Sequence, residues 1–346
     1  MSLGRINRDP RQSLTPASAS TYSRDVRRVF LAILIWCAAA PTAAWAPAAP
    51  TVVEGRDWQL AVDFSGWASS GYTTWAFSGA DINYLSELRW RGTDSFIGQV
   101  TADVAWKRLV FTTSYGQSTI NDNGVLIDDD FIQDDHLGRF SHTRSAVGGN
   151  GVWYVTADVG GRMIRYRVAD NPQEGYLDLL AGYQYWHEQY EAFGATGFFN
   201  LFGFSSPAVA DHSTKVITHT YSWQGIRLGF RQFTPVAKGF GIKGNYMFLP
   251  YTWAQMTDTH WLRDDLKHNP SFSSRAQGGF GFQGDIAITY SFLKYFLLEV
   301  GYRYWTLNPG TGDKFTYPID GPRIKDKVRD ITITRSGPFV GLQARW

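Results

Sequence analysis

The last nine residues, Pro338-Phe339-Val340-Gly341-Leu342-Gln343-Ala344-Arg345-Trp346, decide the fold. Val340, Leu342, Ala344 and Trp346 share one face of an extended chain, while Gly341, Gln343 and Arg345 share the other. Side chains alternate across a strand with period two. An apolar outer face against a polar inner face describes a strand embedded in lipid and closed around a polar interior.

The same alternation recurs upstream. Phe96, Val100, Val104 and Trp106 alternate with Ile97, Gln99, Thr101 and Asp103. Lys107-Arg108 then forms a tight turn into Leu109-Val110-Phe111. A second hairpin turns at Leu293-Lys294, between Gly284 to Tyr290 and Phe296 to Trp305. Strands are expected over about 57–67, 83–92, 95–106, 109–118, 151–168, 175–191, 216–231, 240–256, the hairpin 279–306, and 331–346. That gives eleven segments. Bacterial single-chain barrels favour even numbers, so the expected fold is all-β, a ten-stranded antiparallel transmembrane β-barrel. Such a barrel is too narrow for a wide pore, which puts any site at its outer mouth.

Composition agrees. The 346 residues include 14 Trp, 18 Tyr, 23 Phe and 35 Gly, with 18% charged residues. That mixture suits strands and turns better than a helical bundle. The single cysteine, Cys37, excludes a disulfide framework and a Cys-based zinc site. The first 46 residues carry six Arg against Asp9 and Asp25; the remainder is mildly acidic, with no electrostatic footprint for nucleic acid.

Arg24, Arg27 and Arg28 precede the apolar run Val29 to Cys37, and small residues follow up to Ala46. A charged segment, a short apolar segment and an A-x-A-like end read as a secretory signal over 1–46. A Pro/Ala-rich linker over 47–55 leads to the barrel over 56–346, in the outer membrane of a Gram-negative cell.

Two polar patches carry chemistry: Asp128-Asp129-Asp130, in the polar stretch after the 109–118 strand, and Asp258-Thr259-His260, at the end of the 240–256 strand. In extended chain, side chains at i and i+2 point the same way, about 7 Å apart. Asp128 then shares a face with Asp130, and Asp258 with His260. A carboxylate beside an imidazole orients it to deprotonate water. Two close carboxylates share a proton. Together they suit amide hydrolysis without a Ser or Cys nucleophile. Counting back from Asp258 by twos reaches Ile242, Gly244, Tyr246 and Phe248, the apparent lipid face. Either a bulge near Pro250 switches faces, or the strand rises to where both faces are wet. His136, His142, His212, His219 and His268 read as surface histidines in or beside polar loops, without metal-ligand spacing. No pattern asks for a cofactor.

At these residues the chain resembles the omptin family of outer-membrane aspartyl proteases, from about Leu60 to Trp346. Leu85-Ser86-Glu87-Leu88-Arg89-Trp90 looks like its L-S-x-L-x-W strand, and Leu126-Ile127-Asp128-Asp129-Asp130-Phe131 like its hydrophobic pair followed by D-x-D and an aromatic. Leu180-Ala181-Gly182-Tyr183-Gln184 looks like its A-G-Y-Q strand, and Asp258-Thr259-His260 like its catalytic D-x-H. The resemblance implies an aspartic-type endopeptidase acting on peptide or protein substrates. Asp258 would orient His260, which activates water, and Asp128 and Asp130 would form the facing pair. It also implies outer-membrane lipid as a partner, with lipopolysaccharide required for activity. The chain departs from the pattern at the basic-side-chain pocket, where acids are replaced by Met256 and a small residue near Ser70. At the lipopolysaccharide positions it has Tyr185 and His187. These departures motivate a second expectation, a non-catalytic barrel serving as adhesin or structural outer-membrane protein.

Overall fold

Among the described residues the chain forms thirteen strands and no helix. In this computed structural model the described residues are 51–52, 57–79, 81–121, 124–168, 171, 173–201, 204–237 and 239–346. The expected export signal over 1–46 and most of the linker over 47–55 lie outside them. The strands are β1 (Thr51–Val52), β2 (Trp58–Gly79), β3 (Ile82–Arg91), β4 (Ser95–Trp106), β5 (Leu109–Asn121), β6 (Val125–Gln133), β7 (Leu137–Arg167), β8 (Glu174–Leu201), β9 (Phe204–Ala237), β10 (Phe240–His260), β11 (Phe272–Leu293), β12 (Phe296–Thr316) and β13 (Ile324–Arg345).

All pairings are antiparallel. The order runs β13-β12-β11-β10-β9-β8-β7-β5-β4-β2-β3-β6. β13 also pairs with β2, from Lys327 opposite Ser78 to Arg345 opposite Ala61, and this closes the sheet on itself. At one rim the turns are short: residues 107–108 between β4 and β5, and 294–295 between β11 and β12. The chain end is tied in at this rim, with Trp346 N–H donating to Leu60 C=O at 2.9 Å.

The alternation read from the last strand holds. Val340, Leu342 and Trp346 are exposed on the outer face, and Gln343 is buried inside. Leu60, Phe64, Phe96, Phe111, Val159, Leu228, Phe248, Ile288 and Val300 continue an exposed apolar belt around the sheet. Beyond the belt the strands run further than expected. The sequence-based ranges stop at 118 and 191, whereas β6 adds 125–133, β8 reaches Leu201, and β9 begins at Phe204. Asp128-Asp129-Asp130 therefore lies in strand β6, not in a loop.

Within the belt the interior is a network of buried ion pairs. Arg162 meets Asp178 at 2.7 Å, and Arg231 bridges Asp178 at 3.1 Å and Asp103. Arg227 meets Asp158 at 2.9 Å, Lys243 meets Glu299 at 2.7 Å, and Arg303 meets Asp285 at 2.9 Å. A cavity of about 70 Å3 remains among them, enough for a few waters. Above the network lies an aromatic layer. Tyr154 stacks on Trp186 at 5.0 Å, and Trp305 packs against Trp186 at 5.4 Å and Trp67 at 5.5 Å. The layer continues through Trp223, Tyr221, Tyr190, Trp90, Trp75 and Phe77, all buried.

β10 settles the question of face. Below Pro250 the odd positions point inward, with Met247 and Leu249 buried. Above it the even positions do, with Thr252, Ala254, Met256 and Asp258 buried. The register with both neighbours breaks between Phe248 and Thr252. A bulge at Pro250-Tyr251 thus re-aims the rest of the strand.

Removing one member of a buried ion pair leaves an uncompensated charge, at a cost of about 3–5 kcal/mol. Arg231→Ala is therefore expected to lower the urea midpoint for loss of heat-modifiable migration markedly. Arg231→Met combined with Asp103→Leu should restore much of it.

Candidate active site

β10, β6 and β9 assemble the site beyond the apolar belt. Asp258 and His260 are next-but-one neighbours on the inward face of β10, and His260 Nε2 lies 2.9 Å from Asp258 Oδ2. The strand end is held by Ser271: His260 N–H donates to Ser271 Oγ at 3.0 Å, Ser271 N–H donates to Asp258 C=O at 2.8 Å, and the Ser271 hydroxyl donates to Lys267 C=O at 2.8 Å. Phe272 meets the His260 ring at 5.0 Å in a perpendicular arrangement.

β6 divides its three carboxylates by alternation. Asp129 is buried on the opposite side from its neighbours, where it takes Arg89, Arg139 at 3.2 Å and His142 at 2.6 Å. Asp128 and Asp130 share the other face, half-buried. Asp130 accepts hydrogen bonds from Ser86 and Ser141, its cross-strand neighbours on β3 and β7. Asp128 Oδ1 is buried with no hydrogen-bond partner.

The structure brings the four expected residues within electrostatic reach of one another. Burial, then the charge of Asp130, pushes the Asp128 carboxyl up to about 8, against the opposing pull of His260. Burial likewise raises Asp130. Burial alone would raise Asp258, but His260 and His219 and the hydrogen bond from His260 outweigh it and hold the carboxyl below its usual range. For His260, burial is overcome by the charge and hydrogen bond of Asp258 and by Asp128, so the imidazole stays protonated to a higher pH than usual. One carboxylate-bound imidazole faces one carboxyl that keeps its proton at neutral pH. Such a set can take a proton from water on one side and donate a hydrogen bond on the other.

His219 was misplaced by sequence reasoning. It is fully buried on β9, directly opposite Asp258, and no surface loop is involved. The alternation His219-Thr220-Tyr221-Ser222-Trp223, with its three rings on one inward face, was the available signal. Met256 is buried two residues before Asp258, opposite Tyr221. Ser70 is exposed, and the inward positions beside it are Ser69 and Gly71. Tyr185 and His187 both approach Ser222, at 3.1 and 3.4 Å, next to Trp153.

No protein-family model and no curated protein matches the sequence. Among solved structures, the chain is similar to the outer membrane protease OmpT of Escherichia coli, with a TM-score of 0.69 and 13% identity, over 88% of this chain and 99% of that one. The protein has an omptin-like fold. The toluene transporter TbuX of Ralstonia pickettii matches at a TM-score of only 0.23 and 8% identity, over 84% of this chain and 90% of that one. At 13% identity the likeness to OmpT shows the fold alone.

A carboxyl held above its unfolded pKa binds its proton more tightly in the folded state, so its contribution to stability is lost as pH rises from about 4 to about 8. Asp128→Asn removes that loss. Its denaturant midpoint is expected to match wild type near pH 3.5 and to exceed it at pH 9.

Proposed function

We propose that this chain is an outer-membrane endopeptidase. In this reading the closed sheet is a ten-stranded transmembrane barrel. β1, only two residues long, is not a pass; β3 and β4, separated by residues 92–94, count as one, as do β5 and β6. Residues 1–46 serve as the export signal, and the short-turn rim faces the periplasm. The observation that carries the proposal is the pairing of His260 with Asp258 at 2.9 Å, within electrostatic reach of the Asp128–Asp130 pair at the mouth of the barrel.

His260, oriented by Asp258, takes a proton from water as the oxygen attacks the scissile carbonyl. Asp128, protonated and paired with Asp130, donates a hydrogen bond to the carbonyl oxygen as it gains charge. The proton held by His260 then passes to the departing amine, leaving a new carboxyl end and a new amino end. Met256 and Tyr221 give the adjoining wall an apolar character, and the buried acid Glu188 is already bound to Arg335 at 2.6 Å. Cut sites are therefore expected beside apolar rather than basic side chains. Filling of the interior by ion pairs and rings argues against a transport pore.

The test is digestion of a mixed peptide library by folded barrel supplemented with lipopolysaccharide. Wild type should cut. His260→Ala and Asp128→Asn should lose about 100-fold or more of kcat/KM, as expected for removal of a general base or acid. A folded wild type that cuts nothing overturns the proposal and leaves the adhesin or structural role.

The rate should follow a narrow bell in pH. It rises through a midpoint above 6.5 as His260 loses its proton, and falls near 8 as Asp128 loses its own. A rate that is flat from pH 6 to 9 contradicts this assignment.

A further inference from the structure

The short-turn rim, opposite the candidate active site, encloses a cavity of about 380 Å3. Its wall carries Arg162, Arg165, Arg167, Arg231, Lys294 and Arg345. Against these cations stand Asp103, Glu174 and the chain-end carboxylate at Trp346.

Strand geometry gathers the cations. Gln343 and Arg345 follow the inward alternation of β13, and both line the cavity. On β7 the register with β8 breaks between Arg162 and Ile164. Arg165 and Arg167, after the break, therefore line the same wall as Arg162 before it. Arg345 N–H donates to Tyr295 C=O at 2.8 Å, which brings the end of β13 beside the turn that carries Lys294.

Most of these charges are already engaged. Arg162 meets Asp178 at 2.7 Å, Arg231 bridges Asp178 and Asp103, and Arg167 meets Glu174 at 2.5 Å. Arg165 donates to Lys107 C=O at 2.5 Å. Arg345 and Lys294 differ, since among the described residues neither meets a carboxylate. Arg345 donates Nε to Gln343 Oε1 at 2.5 Å and lies 5.0 Å from the Phe233 ring, while its Nη2 is buried with no hydrogen-bond partner. Lys294 Nζ lies 4.9 Å from the Tyr295 ring. A cation drawn out of water without a counter-charge is costly, and a bound anion would offset that cost.

We propose that this cavity binds a phosphoryl group, carried by a soluble phosphate or by a phospholipid headgroup, between Arg345 and Lys294. A guanidinium fork matches phosphate oxygens, and an ammonium adds a point charge. Two cations without carboxylate partners balance a phosphate monoester, which carries a charge of about −1.5 to −2 near pH 7. The cavity has room for more than the phosphoryl group, and small-ligand pockets run from about 300 to 1,000 Å3. Ala105, Val110 and Leu297, all buried, give its wall an apolar flank for what the phosphate is attached to. The assignment is independent of the protease reading, because it uses neither the residues nor the rim of that site.

The experiment is calorimetric titration of the folded barrel in octyl glucoside, a detergent without phosphate. The probes are inorganic phosphate and dihexanoyl phosphatidic acid. Wild type is expected to bind phosphate, and more weakly as salt is added. Lys294→Gln and Arg345→Gln should each weaken binding about tenfold, the loss of one charge-assisted contact. Lys325→Gln, which removes a cation at the other rim, should leave it unchanged. Equal affinity for the two probes identifies a soluble phosphate as the source, and tighter binding of the lipid identifies a headgroup. A wild type that binds neither probe, or binding that survives intact in both Lys294→Gln and Arg345→Gln, overturns the assignment. Heat-modifiable migration reports folding. If Arg345→Gln does not fold, Lys294→Gln, on an exposed turn, decides the matter by itself.

Discussion

The pairing of β13 with β2 is the constraint on which everything else rests. A sheet with an apolar outer face and a charged inner face has no stable open form, since either edge would expose unpaired N–H and C=O groups. Closure satisfies both edges at once and turns the inner face into an enclosed volume. That volume must then be filled. Buried ion pairs fill the level of the belt, and stacked rings fill the level above it. The site stands on those rings. Its geometry is inherited from closure, because Asp258 and Asp128 come from strands far apart along the sheet order.

The bulge at Pro250 shows how one residue decides which way the side chains of a strand face. Without the register break between Phe248 and Thr252, the inward positions of β10 would remain odd, and Asp258 and His260 would point out of the ring. Proline supplies no N–H to the ladder, so the sheet loses little by breaking there. The same strand can therefore present Phe248 outward within the belt and His260 inward above it.

The belt was legible in the sequence because an apolar outer face and a charged interior force strict alternation, as in Val340, Leu342 and Gln343. The extensions beyond it were much less so. There alternation fades, and Asp128-Asp129-Asp130 reads as a solvated loop. Its strand character follows from pairing with β3 and β7, and long-range pairing leaves no local mark. The raw tally of eleven segments has a related cause. The break at residues 92–94 looks like a turn between two strands, though β3 and β4 both pair with β2. The four candidate residues were found through spacing and family resemblance. His219 was missed because its burial opposite Asp258 comes from strand pairing, which a lone histidine in sequence does not show.

The stacked layer of Tyr154, Trp186, Trp305 and Trp67 has a consequence for traffic. Below it the interior holds a pocket of about 70 Å3; above it the site opens at the rim away from the short turns. Whatever enters the mouth must leave by the same mouth. Were peptides cut there, the fragments would compete with the next incoming chain for one doorway, and none would cross to the other side. The rings act as a bulkhead between the two rims.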